Sequence, residues 1–281
     1  MNVLSNEKKS LILSLLTEGQ SVRATSRIAD VSPVTVLKLL LEAGQKARDI
    51  HDSLMVNIQA GYVQCDEQWQ FVQCKQKRVR SNEEGKERGD FYTFVAMDSD
   101  TKLAICYRVG KRTAHLTTSF MMELATRVMT RFQLSTDSFT PYRDAVDRVF
   151  GEDIAYAQIH KEYREETKEE ARKYSPGKII RVTKNPITGN PNPKRISTSH
   201  IERLNLTARM NCRRFTRLSN AFSKSLQHHE AAVALHFFHY NFVRPHQTLR
   251  VTPAFQAKVT NRLWKWEDLL NWGKSAEQIA A

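Results

Sequence analysis

The order of its extended and helical segments constrains the fold of this chain more than any other feature. Runs of β-branched and aromatic residues alternating with polar ones are typical of strands, and apolar residues at a spacing of three to four are typical of helices. The predicted segments, in chain order, are strands at 61–72, 91–98 and 103–109, a helix at 113–132, and strands at 133–138 and 154–159 with a helical stretch between them. A mixed α/β domain follows from this order.

Three strands, a helix, a strand, a helix and a strand form the order of an RNase H-like α/β fold. In that arrangement the first and fourth strands lie side by side, which would bring Asp66 and Asp137 close together. Neighbouring carboxylates repel each other unless a cation neutralises them. Hard divalent ions with oxygen ligands meet that need and support phosphoryl transfer. We therefore expect Asp66 and Asp137 to be catalytic metal ligands.

A third candidate ligand emerges from the charges that follow. Between Pro176 and Lys224 there are eleven Lys or Arg residues and one acid, Glu202. It falls at the start of a helix predicted to run from Thr198 to Ser225. Its buried side is predicted to carry Ile201, Leu204, Leu206 and Met210, and its phosphate-binding side Arg209, Arg213, Arg214 and Arg217. A carboxylate among basic residues suits a nucleic-acid-cleaving site, although local pairing of Glu202 with Arg203 or Arg209 explains it equally well.

Other acids fit the site less well. Glu67 follows Asp66 directly, and adjacent strand residues point to opposite faces. We therefore expect Glu67 to be a surface residue or a residue that supports the ligands from outside. Asp98 and Asp100 are expected in a turn.

The first fifty residues predict three short helices: one that begins near Asn6 and is ended by Glu18-Gly19, one at 21–29 and one at 34–43. Ser21 is a candidate N-cap, and Pro33 fits the first position of the third helix. Two short helices joined by a tight turn are typical of a helix-turn-helix, whose second helix enters the DNA major groove. The residues predicted to be buried are Val22, Ile28, Val31, Val36 and Leu40, and those predicted to contact DNA are Arg23, Arg27, Thr35 and Lys38. A three-helix packing unit without DNA contact remains the alternative.

Net charge and cysteine content indicate the kind of partner and the cellular compartment to expect. The 281 residues carry a formal net charge of +13, which favours polyanionic partners such as DNA. The four cysteines have no zinc-ligand spacing, so we expect reduced thiols in a cytoplasmic, nucleoid-associated protein. We find neither an apolar stretch of about 18 residues nor an apolar signal core, so no membrane partner is expected.

Several motifs, taken in order, resemble the insertion sequence one group of DDE transposases. The motifs are Cys65–Val72, Ser135–Tyr142, Ile201–Asn205, Arg214–Ser225 and Tyr240–Leu249 with Thr252-Pro253-Ala254. The resemblance covers roughly residues 60–254. It implies Asp66, Asp137 and Glu202 as the metal triad, Mg²⁺ or Mn²⁺ (two ions) as cofactor, and cutting and joining of transposon ends. Relatives often begin with a cysteine-rich zinc finger, which this chain lacks.

The predicted organisation has four parts: a helix-turn-helix domain at 1–47, a linker at 48–59, an RNase H-like catalytic domain at 60–254 and a helical tail at 255–281. The basic segment 183–195 is expected to be a mobile loop, and the tryptophan-rich tail is expected to fold back on the core or mediate self-association. Double-stranded DNA, comprising the inverted-repeat ends and the target, is the expected partner of a homo-oligomer. Two alternatives remain open: a non-catalytic DNA-binding regulator derived from a transposase, and another RNase H-like nuclease.

Overall fold

The structure is a computed structural model that describes residues 4–83, 87–164, 177–216 and 219–273. Within these ranges, six strands form one mixed sheet in the order β3-β2-β1-β4-β5-β6. The strands are β1 Tyr62–Val72, β2 Gly89–Asp98, β3 Ala104–Gly110, β4 Gln133–Asp137, β5 Ala155–Tyr163 and β6 Ile179–Thr188. All five predicted strands are therefore confirmed, with small shifts at their ends.

Helices cover both faces of the sheet. They are α1 Asn6–Thr17, α2 Val22–Ile28, α3 Pro33–Leu54, α4 Ala114–Arg127, α5 Thr140–Phe150, α6 Ser199–Asn211, α7 Leu226–Phe238, α8 Pro253–Gln256 and α9 Trp266–Asn271. Cys65 and Phe94 on one face share an apolar cluster with α4 and α5. Val95 on the other face packs against α6 and α7. Alternate residues of each central strand thus pack against different helix layers.

The N-terminal helices begin where the sequence predicts. Ser21 Oγ accepts a hydrogen bond from Ala24 N, and Ser32 Oγ caps α3 in the same way, with Pro33 following at the first helical position. The predicted burial is confirmed for Val36 and Leu40 but wrong for Ile28, whose side chain is 56% exposed. Ile28 is the last residue of the seven-residue α2, and so short a helix buries only part of its circumference.

Helix α3 extends well beyond the predicted end at Ala43. It continues to Leu54, so most of the predicted linker is helical. Gly44 lies in mid-helix, buried against Ala231 of α7, where an added Cβ would stand 2.5 Å from the Ala231 side chain. The glycine therefore serves the close approach of two helices and does not end one.

Two predictions between β5 and α7 are wrong. Residues 183–188, expected in a loop, belong to edge strand β6, which pairs with β5. Helix α6 ends at Asn211 and does not reach Ser225, and its residues Leu206 and Met210 are exposed by 41% and 64%. Ile201 and Leu204 are buried as predicted, and Ala208 and Cys212 continue that buried side.

The C-terminal region contacts both edge strand β3 and the N-terminal helices. The Asn241 side chain donates to the Ala104 carbonyl at 2.9 Å and accepts from its N–H at 3.0 Å, which satisfies part of edge strand β3. Trp266 Nε1 donates to Ser14 Oγ at 2.7 Å, and Trp264 and Leu269 belong to the main core. The tryptophan-rich tail therefore folds back on the body. Among the described residues, no helix has the length and apolar character needed to cross a membrane.

Candidate active site

The first and fourth strands pair in parallel, as the predicted order requires, and then separate. Their register runs from Tyr62↔Gln133 to Gln64↔Ser135 and stops there. Asp66 and Asp137 lie two residues beyond the last pair on each strand, so they stand side by side where the strands diverge. The pairing thus ends between the two central strands, and both carboxylates line a cavity there.

Three carboxylates converge at this point. Oxygen atoms of Asp66, Glu67 and Asp137 all lie within 4.8 Å of one another. Glu67 does belong to the opposite strand face, since it pairs with Phe94 whereas Asp66 pairs with Val95. The expectation of a surface position is nevertheless wrong, because its side chain is only 2% exposed.

Burial and mutual repulsion disfavour the ionised forms of this group. Burial, reinforced by the charge of Asp137, raises the pKa of Asp66 to about 7. The same two causes raise the pKa of Glu67 to about 8, against the opposing effect of Arg112. Two acids that resist ionisation beside a third form a site that gains from a cation.

Local hydrogen bonds orient the two aspartates. Asp66 Oδ1 accepts from the Glu67 N–H at 2.9 Å, and Asp66 Oδ2 accepts from Asn205 Nδ2 at 2.7 Å. Asp137 Oδ1 accepts from the Phe139 N–H at 2.9 Å, just before α5 begins. These hydrogen bonds hold both carboxylates in place at the ends of their strands.

Glu202 lies in the first turn of α6 and lines the same cavity. Its Oε1 accepts from Thr198 Oγ1 at 2.6 Å and also pairs with the Lys161 ammonium on β5. Glu202 is not part of the group whose oxygens lie within 4.8 Å. The three predicted ligands therefore line one cavity, and two of them lie in direct proximity.

The cavity is an open cleft of about 710 Å³ with a mixed acidic and basic lining. Its lining comprises Asp66, Arg112, Asp137, Ser138, Phe139, Thr140, Ile159, His160, Lys161, Tyr163, Thr198, Glu202, Asn205 and Arg209. Arg112 Nε donates to Glu67 Oε1 at 2.9 Å, and the guanidinium lies 3.7 Å from the Phe139 ring centroid. Fixed cations beside carboxylates suit an anionic substrate held at a cation site.

The predicted DNA-contacting residues occupy two regions. Arg23, Arg27 and Lys38 are exposed on α2 and α3, whereas Thr35 is half-buried and its hydroxyl lies 2.9 Å from Ser32 Oγ. Arg209 lines the cavity. Arg213 is exposed and Arg214 half-buried in the segment after α6, and Arg217 lies outside the described residues.

Sequence reasoning missed Arg112, Lys161 and Asn205. Arg112 stands in the short β3–α4 connection, and nothing in its sequence context indicates an active site. Lys161 had a usable signal, because the alternation of Ala157 and Ile159 continues to Lys161 and places it on the same face of β5. Asn205 follows Glu202 by three residues, a spacing that puts both on one side of a helix.

Comparisons with known proteins add little to the geometry. No family model and no curated protein matches the chain. Among solved structures, it is similar to a chain of the cryo-EM piggyBac transposase synaptic complex with hairpin DNA, with 13% identity and a TM-score of 0.30. That match covers 79% of this chain, which spans 56% of the other. This TM-score is too low to indicate a shared fold.

Proposed function

We propose that this chain is a metal-dependent polynucleotidyl transferase of the DDE transposase type. The observation that carries the proposal is the convergence of Asp66, Asp137 and Glu202, from β1, β4 and α6, on one cavity with basic residues in its lining. The sheet order around it, with the first and fourth strands adjacent, supports an RNase H-like core. The specific insertion sequence one family rests on the motif resemblance alone.

The donor set fits Mg²⁺ or Mn²⁺. Both ions prefer carboxylate oxygens, and the site offers three within 4.8 Å of one another, with Glu202 in the lining of the same cavity. Asp66, Asp137 and Glu202 would hold the ions, with Glu67 close enough to assist. Bound divalent ions supply charge neutralisation, activation of water or a 3′-hydroxyl, and stabilisation of the leaving oxygen.

The chain's own residues complete the chemistry. Arg112 and Lys161 are fixed near the carboxylates and can bind the phosphate on which cleavage occurs. Arg209, also on the cavity wall, can hold the neighbouring backbone. Asn205 fixes the orientation of Asp66 through its 2.7 Å hydrogen bond. No nucleophilic side chain is required, because water and the DNA 3′-hydroxyl are the attacking groups.

The remaining parts are assigned by the same proposal. The helices within 1–47 would bind transposon ends through exposed Arg23, Arg27 and Lys38. Residues 60–254 would form the catalytic domain, and the chain would act as a homo-oligomer, because two DNA ends must be held together.

Strand cleavage on cognate ends tests the proposal. Duplexes carrying the terminal repeats that flank the gene are incubated with protein and Mg²⁺ or Mn²⁺. Asp66→Asn should reduce cleavage at least about 100-fold, since loss of a metal ligand removes several kcal/mol of transition-state stabilisation. Binding of the ends should persist.

Asp144→Asn, an exposed residue of α5, is the matched control and should cleave normally. End binding without cleavage by the wild type would favour the regulator. Cleavage of RNA–DNA hybrids or junctions in preference to the ends would favour another nuclease. Cleavage by Asp66→Asn at the wild-type rate would refute the assigned triad.

A further inference from the structure

The face of β1 that packs on α6 carries buried amide side chains on either side of Asp66. Gln64 and Gln68 are 3% and 2% exposed, and with Asp66 they occupy alternate positions of one strand. Glutamine is seldom so deeply buried, and a buried amide without partners costs free energy. The partners of these two amides therefore indicate their purpose.

Gln64 caps helix α6 from the neighbouring strand. Its Oε1 accepts hydrogen bonds from the backbone N–H groups of His200 at 3.0 Å and Ile201 at 3.1 Å. The first N–H groups of a helix have no partner within the helix, and the N-cap residue of α6, Thr198, makes no side-chain capping bond. The strand thus supplies the cap that the helix lacks.

Gln68 holds the same helix one turn further along. Its Nε2 donates to the Asn205 carbonyl at 3.1 Å, and the Asn205 side chain donates to Asp66 at 2.7 Å. The two attachments fall on either side of Glu202 in the sequence. A helix fixed at two points one turn apart can neither slide along the strand nor rotate against it.

We propose that Gln64 and Gln68 are positioning residues that set the distance between Glu202 and Asp66, a role that rests on the proposed function. Apolar contacts alone would keep α6 on the sheet, since Ile201, Leu204 and Ala208 are buried there. Such contacts tolerate a shift, whereas directional hydrogen bonds do not. A misplacement of about 1 Å in a catalytic group can cost about 100-fold in rate.

The test compares methionine and glutamate at position 64 with a matched control. Gln64→Met keeps the length and removes the acceptor, whereas Gln64→Glu keeps an acceptor oxygen. Gln70→Met is the control, because Gln70 is buried on the same strand face and its amide lies 2.8 Å from Thr93 Oγ1 on β2. The readouts are Mn²⁺ affinity, thermal unfolding, and kcat and KM for strand cleavage.

We expect Gln64→Met to lower kcat at least about tenfold with little change in KM for DNA, and to weaken Mn²⁺ binding. Gln64→Glu should recover most of kcat, and Gln70→Met should retain it even where its melting temperature falls. Gln68→Met gives the same comparison where Gln64→Met fails to fold. A wild-type kcat in both Gln64→Met and Gln68→Met would overturn the proposal. Equal losses of kcat in Gln64→Met and Gln70→Met would also overturn it.

A failure of the proposed function gives a different result. In that case the wild type itself would not cleave DNA, and the positioning role would be tested by Mn²⁺ affinity alone. Weaker Mn²⁺ binding in Gln64→Met than in Gln70→Met would support it, and equal binding would contradict it.

Discussion

The candidate active site and helix α7 both keep titratable groups out of water, with opposite consequences. In the cavity, burial and the charge of Asp137 raise the pKa of Asp66 to about 7. Along α7 and the turn after it, burial lowers the pKa of His229 and His236 to about 3 and that of His239 to about 4. Both regions therefore favour neutral side chains.

Geometry separates the two regions. The carboxylates converge within 4.8 Å at an open cleft, where a cation can relieve their repulsion. The histidines pack against aromatic rings: His239 stacks on Trp266 with centroids 5.4 Å apart, and His236 lies 5.2 Å from Phe237. A shifted pKa alone therefore does not distinguish a buried structural residue from a functional one. The convergence of like charges at a cleft does indicate a functional site.

The largest expected effect is on the pH dependence of stability when Asp66 in the cavity is replaced by the neutral asparagine. The pKa of Asp66 is about 7 in the folded protein and about 3.9 in the unfolded chain. The folded state holds the proton in between, so its stability falls as pH rises, by about 1.4 kcal/mol per pH unit. In cation-free protein, the stability advantage of Asp66→Asn over the wild type should therefore grow by up to about 4 kcal/mol from pH 4 to pH 8.

Urea unfolding across this pH range measures the difference. The exposed Asp144→Asn should show no such trend. An advantage of Asp66→Asn that stays constant with pH would mean that Asp66 is not held neutral in the folded protein.

A smaller and opposite effect is expected on α7. His236 is buried, and neither ring nitrogen has a hydrogen-bond partner among the described residues. Its pKa is lowered to about 3, below the unfolded value of about 6.5. The unfolded state then binds more protons, so stability is present above pH 6.5 and is lost as pH falls. His236→Leu should gain about 2.5 kcal/mol over the wild type between pH 7 and pH 4.5.

Exposed His115 provides the matched control through His115→Gln, which should leave the pH dependence unchanged. A His236→Leu variant that follows the wild-type pH curve would show that this histidine does not resist protonation.

The sequence determines much of the site through strand order and charge. Asp66 and Asp137 follow from the adjacency of the first and fourth strands, and Glu202 from its isolation among basic residues. The alternation rule also assigns Glu67 to the correct strand face. It does not reveal that the Glu67 carboxylate is buried within 4.8 Å of both aspartates, so the choice between a surface position and a supporting one stayed open.

The other errors have structural causes that local sequence patterns do not show. Helix α3 continues through Gly44, where the close approach of α7 leaves no room for a Cβ. A contact so distant in sequence leaves no local signal. Leu206 and Met210 are apolar but exposed, so composition gives the wrong orientation for that part of α6. Arg112 reaches the site from a short connection, where no periodicity exists to predict its direction.

The central claim is that Asp66, Asp137 and Glu202 together hold divalent cations. Calorimetric titration of Mn²⁺ into the wild type, Asp66→Asn, Asp137→Asn, Glu202→Gln and the control Asp144→Asn tests it most directly. We predict saturable binding in the wild type and in Asp144→Asn, and weakened or absent binding in the three cavity variants. Absence of saturable binding in the wild type, or unchanged binding in all three cavity variants, would contradict the claim.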